Sequence, residues 1–273
     1  MKYCDYSVLM CVYAKDSSIF LKEAIESILT QTKRTNDFII VEDGILPYEL
    51  EKIILNYEEM YSEISVIRNK NNKGLGECLS QGLIECKNEI VARMDADDIS
   101  NIDRMRKELQ LINSSGVDFV GTNIIEFDEY NNQYEKKMPE YNDDIIKYAK
   151  FRNPINHPTV MFKKSKVLKI GNYRNIYRSE DYDLWLRMLY DGSIGYNIQE
   201  NLVYMRTNSN FYKRRGGFRN LIAHYKIIED AYKRKQISKF EFMNNMFLTF
   251  LKVIASKRVK EFIYRKILRK KKK

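Results

Sequence analysis

The first hundred residues alternate between two hydrophobic patterns. Tyr6 to Val12 (YSVLMCV), Asp37 to Val41 (DFIIV), Ile64 to Arg68 (ISVIR) and Glu89 to Met94 (EIVARM) are short, near-continuous apolar runs. Such runs mark strands buried on both faces. Between them the apolar positions recur at helical spacing. Ser18 to Thr30 predicts a helix opened by Asp16 or Ser17 as N-cap, Pro47 to Tyr57 a second helix, and Leu75 to about Cys86 a third, after the polar loop NKNNKG. Strands separated by helices imply a parallel sheet covered on both faces. Further along, TVMF at 159–162 reads as a strand, and DLWLRML, with Leu184, Trp185 and Met188 on one apolar face, reads as a helix.

In such a sheet, ligands collect outside the carboxyl ends of the strands. The first run ends at Tyr13, the second at Glu42, Asp43 and Gly44, the third at NKNNKG and the fourth at Asp95, so polar chemistry lies along one edge. Lys73 and Gly74, just before a helix, are placed to offer backbone amides to an anion. The fourth run drives into IVARMDADDIS, where Asp95, Asp97 and Asp98 crowd three carboxylates into four positions. A divalent cation with a polyphosphate would relieve that repulsion. Oxygen donors suit Mg²⁺ or Mn²⁺, which leave coordination positions to water and substrate phosphates. An EF-hand starting at Asp95 fails, because its sixth position is Ser100 and its twelfth Arg106. Two alternatives stand beside the nucleotide site: a phosphatase of the haloacid dehalogenase type, which also places Asp-x-Asp after a strand, and acidic N-caps for a helix beginning near Asn101.

Composition limits the setting. A chain of 273 residues suffices for one large domain, or a domain with an appendage. Four prolines and ordinary apolar content exclude fibrous and disordered classes. Cys4, Cys11, Cys78 and Cys86 show no CxxC spacing, and His157 and His224 are the only histidines, which argues against zinc and disulfide frameworks and for a reducing compartment. The N-terminal stretch lacks a cleavage signature, and no apolar run approaches the roughly 18 residues of a spanning helix. The expectation is a soluble cytosolic protein. Net charge is +10, unevenly spread: residues 212–273 carry 20 Lys and Arg against 4 Asp and Glu, and the remainder 27 against 33. A basic tail ending RKILRKKKK seeks phosphate, on an anionic membrane face or on nucleic acid, unless it serves only solubility. Within it, FEFMNNMFLTFLKVI predicts an amphipathic helix that either lies on a membrane or packs on the preceding domain.

Six segments, SVLMCVYAKD, IIVEDG, NKNNKGLGECLSQGL, IVARMDADD, NPINHPTVMFKKS and SEDYDLWLRML, occur in the order and approximate spacing of the family 2 glycosyltransferases with the GT-A fold. The resemblance runs from about Ser7 to Tyr212. It is especially similar to bacterial enzymes that build capsular, exopolysaccharide or lipopolysaccharide O-antigen repeats. The chain departs from the pattern at Cys11, where many members carry proline, and at Glu42-Asp43-Gly44, which replaces the commoner Asp-Asp-Gly-Ser.

The resemblance implies a Rossmann-like, mostly parallel sheet in a GT-A catalytic domain over residues 1–211. Nucleotide-sugar binding would fall at about 1–100 and acceptor binding at about 101–211; the basic helical tail over 212–273, read from its charge, lies beyond the resemblance and is a candidate for the membrane surface. Tyr13, Asp43 and Glu42 would border a nucleobase such as uracil. Lys73 and Arg93 would lie near ribose or phosphate, although Arg93 would equally suit a carboxylate partner. Asp95 would face the ribose and Asp97 a Mn²⁺ or Mg²⁺ ion, with Asp98 orienting its neighbours. Inversion at the anomeric carbon needs a group to take the acceptor proton, and the resemblance assigns this to Asp181, supported by Glu180. Acids at this helix start are also favoured by the helix dipole alone. His157 is a candidate for acceptor or donor phosphate. Arg206, Arg214 and Arg215, followed by Gly216 and Gly217, suggest a movable basic segment over a diphosphate or lipid-linked pyrophosphate. The implied partners are a nucleoside diphosphate sugar, UDP-linked by expectation, a lipid-linked saccharide and an anionic membrane surface, with no specific nucleic acid. The implied location is the inner face of the cell membrane.

Overall fold

A computed structural model describes residues 4–130, 132–207, 218–254 and 270–271. The expected alternation is present: β1 (Ser7–Tyr13), α1 (Ser18–Leu29), β2 (Asp37–Asp43), α2 (Tyr48–Met60), β3 (Ile64–Arg68), α3 (Leu75–Glu85) and β4 (Ile90–Asp95). Pro47 precedes α2, where its fixed φ suits a helix entry. Then follow β5 (Ile99–Ser100), α4 (Arg104–Ser115), β6 (Phe119–Phe127), β7 (Gln133–Lys136), α5 (Asn142–Ala149), a 3-10 turn (His157–Thr159), β8 (Met161–Lys163), α6 (Lys164–Lys169), α7 (Glu180–Tyr190) and β9 (Gly195–Arg206). The chain continues through α8 (Phe218–Lys233), α9 (Lys239–Ile254) and β10 (Lys270–Lys271).

The sheet order is β10-β7-β6-β8-β4-β1-β2-β3, with β9 pairing β6 and β5. The strands β4, β1, β2 and β3 are parallel, as expected, but β8 joins β4 antiparallel and β6 joins β8 antiparallel. The whole is therefore a mixed sheet whose parallel part comes from the first hundred residues. Side chains alternate across it. Val8, Met10 and Ile40 pack towards α1, α2 and α4 with Ile25, Ile54 and Met105. Leu9, Ile39 and Val41 pack on the other face with Leu79 and Leu83 of α3 and Trp185 of α7. Both faces are covered, which is why these strands read as unbroken apolar runs.

Two close approaches fix the frame. Gly82 lets α3 lie directly on β1 and β2, since a Cβ there would overlap Leu9 and Val41. Gly82→Ala is expected to cost about 1–3 kcal/mol by overpacking, read as a lower denaturation midpoint at unchanged slope. On the site side, Arg104 is fully buried. It pairs with Glu108 and donates from Nη2 to the carbonyl of Arg93 at 2.9 Å, so α4 braces the end of β4.

The helix expected near Asn101 starts at Arg104, because Ile99 and Ser100 instead pair antiparallel with Tyr204 and Val203 of β9. Asp95, Asp97 and Asp98 therefore lie outside its first turn, and the N-cap explanation of the cluster fails. In the basic tail, α8 packs on the core. Ile227, Ile228 and Ala231 join Tyr182 and Leu186 of α7 in one apolar cluster, and Gln236 donates to the Leu186 carbonyl at 2.8 Å.

Candidate active site

Register brings the strand ends together: Tyr13 of β1 stands opposite Asp43 of β2, and Cys11 opposite Asp95 of β4. Asp43 accepts from the backbone N–H of Lys73 at 2.6 Å, from that of Gly74 at 3.1 Å and from Asn72 Nδ2 at 2.9 Å. The expectation that the Lys73 and Gly74 amides stand open to an anion is thereby corrected, for they close the NKNNKG loop onto Asp43. Gly44 and Gly74 both have φ of +88°, the left-handed region in which only glycine is unstrained. Glu42 is buried beside Arg68 at 3.6 Å, and burial raises its pKa. The Lys73 side chain reaches Gln81 at 3.3 Å on the surface, and the Tyr13 ring is exposed.

At the end of β4, carboxylate oxygens of Asp95, Asp97 and Asp98 lie within 4.8 Å of one another. Asp98 is buried; Oδ1 accepts the Arg206 N–H at 2.8 Å, while Oδ2 is buried without a hydrogen-bond partner. Burial and the neighbouring Asp97 and Asp95 push its pKa well up. An orphaned buried oxygen among three carboxylates fits a hard divalent cation, whose preferred ligands are oxygens. Asp16, read from sequence only as a possible cap, stands near the group. Burial, and then the charges of Asp97 and Asp95, raise its pKa to about 7.

Arg93 lies beneath this cluster. It is 2% exposed and pairs through Nη2 with Asp95 Oδ1, while its Nε and Nη1 have no hydrogen-bond partner. Of the two places expected for Arg93, the carboxylate partner is the one present, and the guanidinium is buried behind Asp95 rather than open at the nucleotide edge. Its positive charge also reaches Asp98, Glu180 and Asp181, opposing the rise that burial imposes on each. Glu180 and Asp181 begin α7, and so the second half of the chain brings a second acid pair towards the first. Glu180 is buried, and burial together with Asp181 lifts its pKa to about 7. Asp181 Oδ1 accepts the Tyr182 N–H at 2.7 Å, and Oδ2 accepts from Asn153 Nδ2 at 2.5 Å. Burial still raises it overall, which makes a more basic carboxylate.

Two candidates have different places from those expected. His157 is buried, with Nε2 at 3.2 Å from the Tyr173 hydroxyl and its ring against Trp185. Burial and Arg93 hold its pKa well below the usual range, so it is a neutral core residue rather than a phosphate ligand. Arg206 is not part of a movable segment. Its guanidinium lies 3.9 Å from the centre of the Phe20 ring and 4.8 Å from that of Phe127, its Nε donates to the Asp97 carbonyl at 3.0 Å, and it pairs with Glu23. It fastens the Asp97–Asp98 turn to β9. Arg214, Arg215, Gly216 and Gly217 lie outside the described residues. Asn153 opens the segment NPINHPTVMFKKS and Asp16 closes SVLMCVYAKD, but neither was singled out for the site, and Tyr173 lies outside all six segments; long-range folding brings the three to it.

Comparison with known proteins bears on the family and the fold. A UDP-Gal:alpha-D-GlcNAc-diphosphoundecaprenol beta-1,3-galactosyltransferase of Escherichia coli is 36% identical over 268 residues, covering 97% of this chain and 97% of the relative. The amylovoran biosynthesis glycosyltransferase AmsE of Erwinia amylovora is 34% identical, covering 78% of this chain and 80% of its own length. Among solved structures, the mannosyltransferase PcManGT from Pyrobaculum calidifontis, in complex with GDP-Man and Mn²⁺, superposes with a TM-score of 0.65 at 12% identity, over 92% of this chain and 70% of that one. The GT-A fold expected from the motifs is therefore the one present, and the phosphatase alternative falls away. Residues 7–172 match the model for glycosyl transferase family 2, and with the first of these relatives aligned over nearly the whole of both chains, the chain belongs to that family.

Proposed function

We propose that this enzyme moves a sugar from a UDP-linked donor to a hydroxyl of a lipid-linked saccharide, with inversion, during assembly of a bacterial surface polysaccharide. The observation that carries the reading is the meeting of two acid groups across Arg93: the Asp95–Asp97–Asp98 cluster at the end of β4 and the Glu180–Asp181 pair at the start of α7. The E. coli relative's name, with a UDP-galactose donor and a diphosphoundecaprenol acceptor, supports the choice of substrates. AmsE supports the polysaccharide setting. On this reading the enzyme works in the cytoplasm against the inner face of the membrane, where such acceptors are held.

Asp97 and Asp95 would hold Mn²⁺ or Mg²⁺, and the ion would supply positive charge to the departing diphosphate. The chain's own residues do the rest. Asp43 keeps the NKNNKG loop closed beside Tyr13, leaving an aromatic edge and Glu42 for the base. Arg93 holds Asp95 in place from behind. Asp181 Oδ2, aimed by Asn153 and raised by burial, takes the acceptor hydroxyl proton as that oxygen attacks the anomeric carbon. Glu180, buried and with its pKa raised by burial and by Asp181, orients the acceptor.

Thermal unfolding with UDP and Mn²⁺ tests the reading. Ligand bound only to the folded state stabilises it by about 2.7 kcal/mol at a hundredfold excess over Kd. The melting temperature is expected to rise with UDP and Mn²⁺ together and to change little with either alone. Equal shifts with UDP in EDTA would remove the metal from the account.

A further inference from the structure

The helix α9 turns a stripe of large apolar side chains to solvent. Phe240, Met243, Phe247 and Phe250 are 80, 58, 60 and 52% exposed, whereas Asn245 and Thr249 are 2 and 8% exposed. At 100° per residue these four apolar side chains and Leu251 share an arc of about 100°, and Asn245 and Thr249 lie on the opposite side. The inward side is held by polar bonds and by one aromatic: Asn245 Nδ2 donates to the Lys150 carbonyl at 2.8 Å, Glu241 pairs with Lys150 at 2.9 Å, and Phe242 packs on the apolar cluster of α7 and α8. A surface helix ordinarily does the reverse, burying its apolar stripe and wetting its polar one. A contiguous exposed aromatic stripe marks a contact with something apolar.

We infer that this face of α9 lies in the interface of an anionic lipid bilayer. Among the described residues no helix is long and apolar enough to cross a membrane, so the contact is with the surface, as for an amphipathic helix lying in the headgroup plane. Charge selects the bilayer over a second copy of the chain. Residues 255–269, which follow the stripe and precede β10, hold six Lys and Arg against one Glu. Two copies meeting through α9 would bring two such segments together, whereas anionic headgroups neutralise them while the stripe is buried. The consequence reaches the active site. The preceding helix α8 is packed on α7 through Ile227, Ile228 and Ala231, and α7 carries Glu180 and Asp181 at its start. Seating α9 on the membrane would set the proposed base at a fixed height above it. This deepens the lipid-linked acceptor proposed above and takes its purpose from that reading.

The test is flotation of the full chain with vesicles of phosphatidylglycerol and phosphatidylethanolamine, or of phosphatidylcholine alone, comparing wild type with the double variant Phe247→Ser, Phe250→Ser. Both residues are exposed, so the fold does not depend on them. Wild type is expected to float with the anionic vesicles and the variant to bind them about tenfold or more weakly, with an unchanged thermal shift from UDP and Mn²⁺. Equal binding by both proteins would overturn the inference, leaving the basic residues alone as the contact. So would a wild-type dimer in sedimentation velocity that the substitutions dissociate without loss of vesicle binding. The nucleotide shift separates the two readings: if wild type shows the shift but does not float, this inference fails and the proposed donor site stands.

Discussion

Asp181→Asn is expected to slow sugar transfer by about 10²–10⁴-fold, the range for loss of a general base, while the thermal shift with UDP and Mn²⁺ is retained. The carboxylate is the one acid of its pair with an oxygen directed by a neighbouring side chain, Asn153. Replacing it with an amide keeps the volume and removes the proton acceptor. The same change sets the new amide among two donors, the Tyr182 N–H and Asn153 Nδ2, so a modest loss of stability, on the order of 1–2 kcal/mol, accompanies it. Turnover and melting temperature must therefore be measured together. A variant that is folded, binds nucleotide and transfers sugar at the wild-type rate would move the base elsewhere, with Glu180 the next carboxylate to examine.

Arg93→Met is expected to destabilise the protein by about 2–4 kcal/mol. Breaking a fully buried ion pair costs about 3–5 kcal/mol, and the Asp95 side chain is 35% exposed, so water recovers part of the loss. Methionine fills the space without replacing the charge, and Asp95, Asp98, Glu180 and Asp181 then face one another without their shared cation. Mn²⁺ bound at Asp95 and Asp97 would restore positive charge at the same place. The variant is thus expected to gain more from Mn²⁺ in thermal unfolding than wild type does. A loss below about 1 kcal/mol would show that solvent already screens these acids from Arg93.

The parts legible in the sequence were those set by neighbours along the chain. The strands β1 to β4 are covered on both sides, so their apolar runs announced them to within a residue or two. The placing of Asp95 and Asp97 at a strand end, and of Glu180 and Asp181 at a helix start, was legible because each lies with its element in one short segment. What was hidden depends on distant partners. Arg206 looked like part of a mobile basic segment until Phe20, Phe127 and the Asp97 carbonyl were seen to enclose it. His157 offered no sign that Tyr173 and Trp185 would bury it. The stretch FEFMNNMFLTFLKVI was amphipathic to the eye, but Lys150 on a distant segment decides which face turns inward.

The most direct test of the acid cluster as a cation and nucleotide site is a crystal soaked with Mn²⁺ and uridine diphosphate, with data collected at the manganese edge. The account predicts an anomalous peak within bonding reach of Asp97, with the diphosphate beside it and the base near Tyr13. Asp95 and Asp97 turned away from a cleft with neither metal nor nucleotide would contradict it.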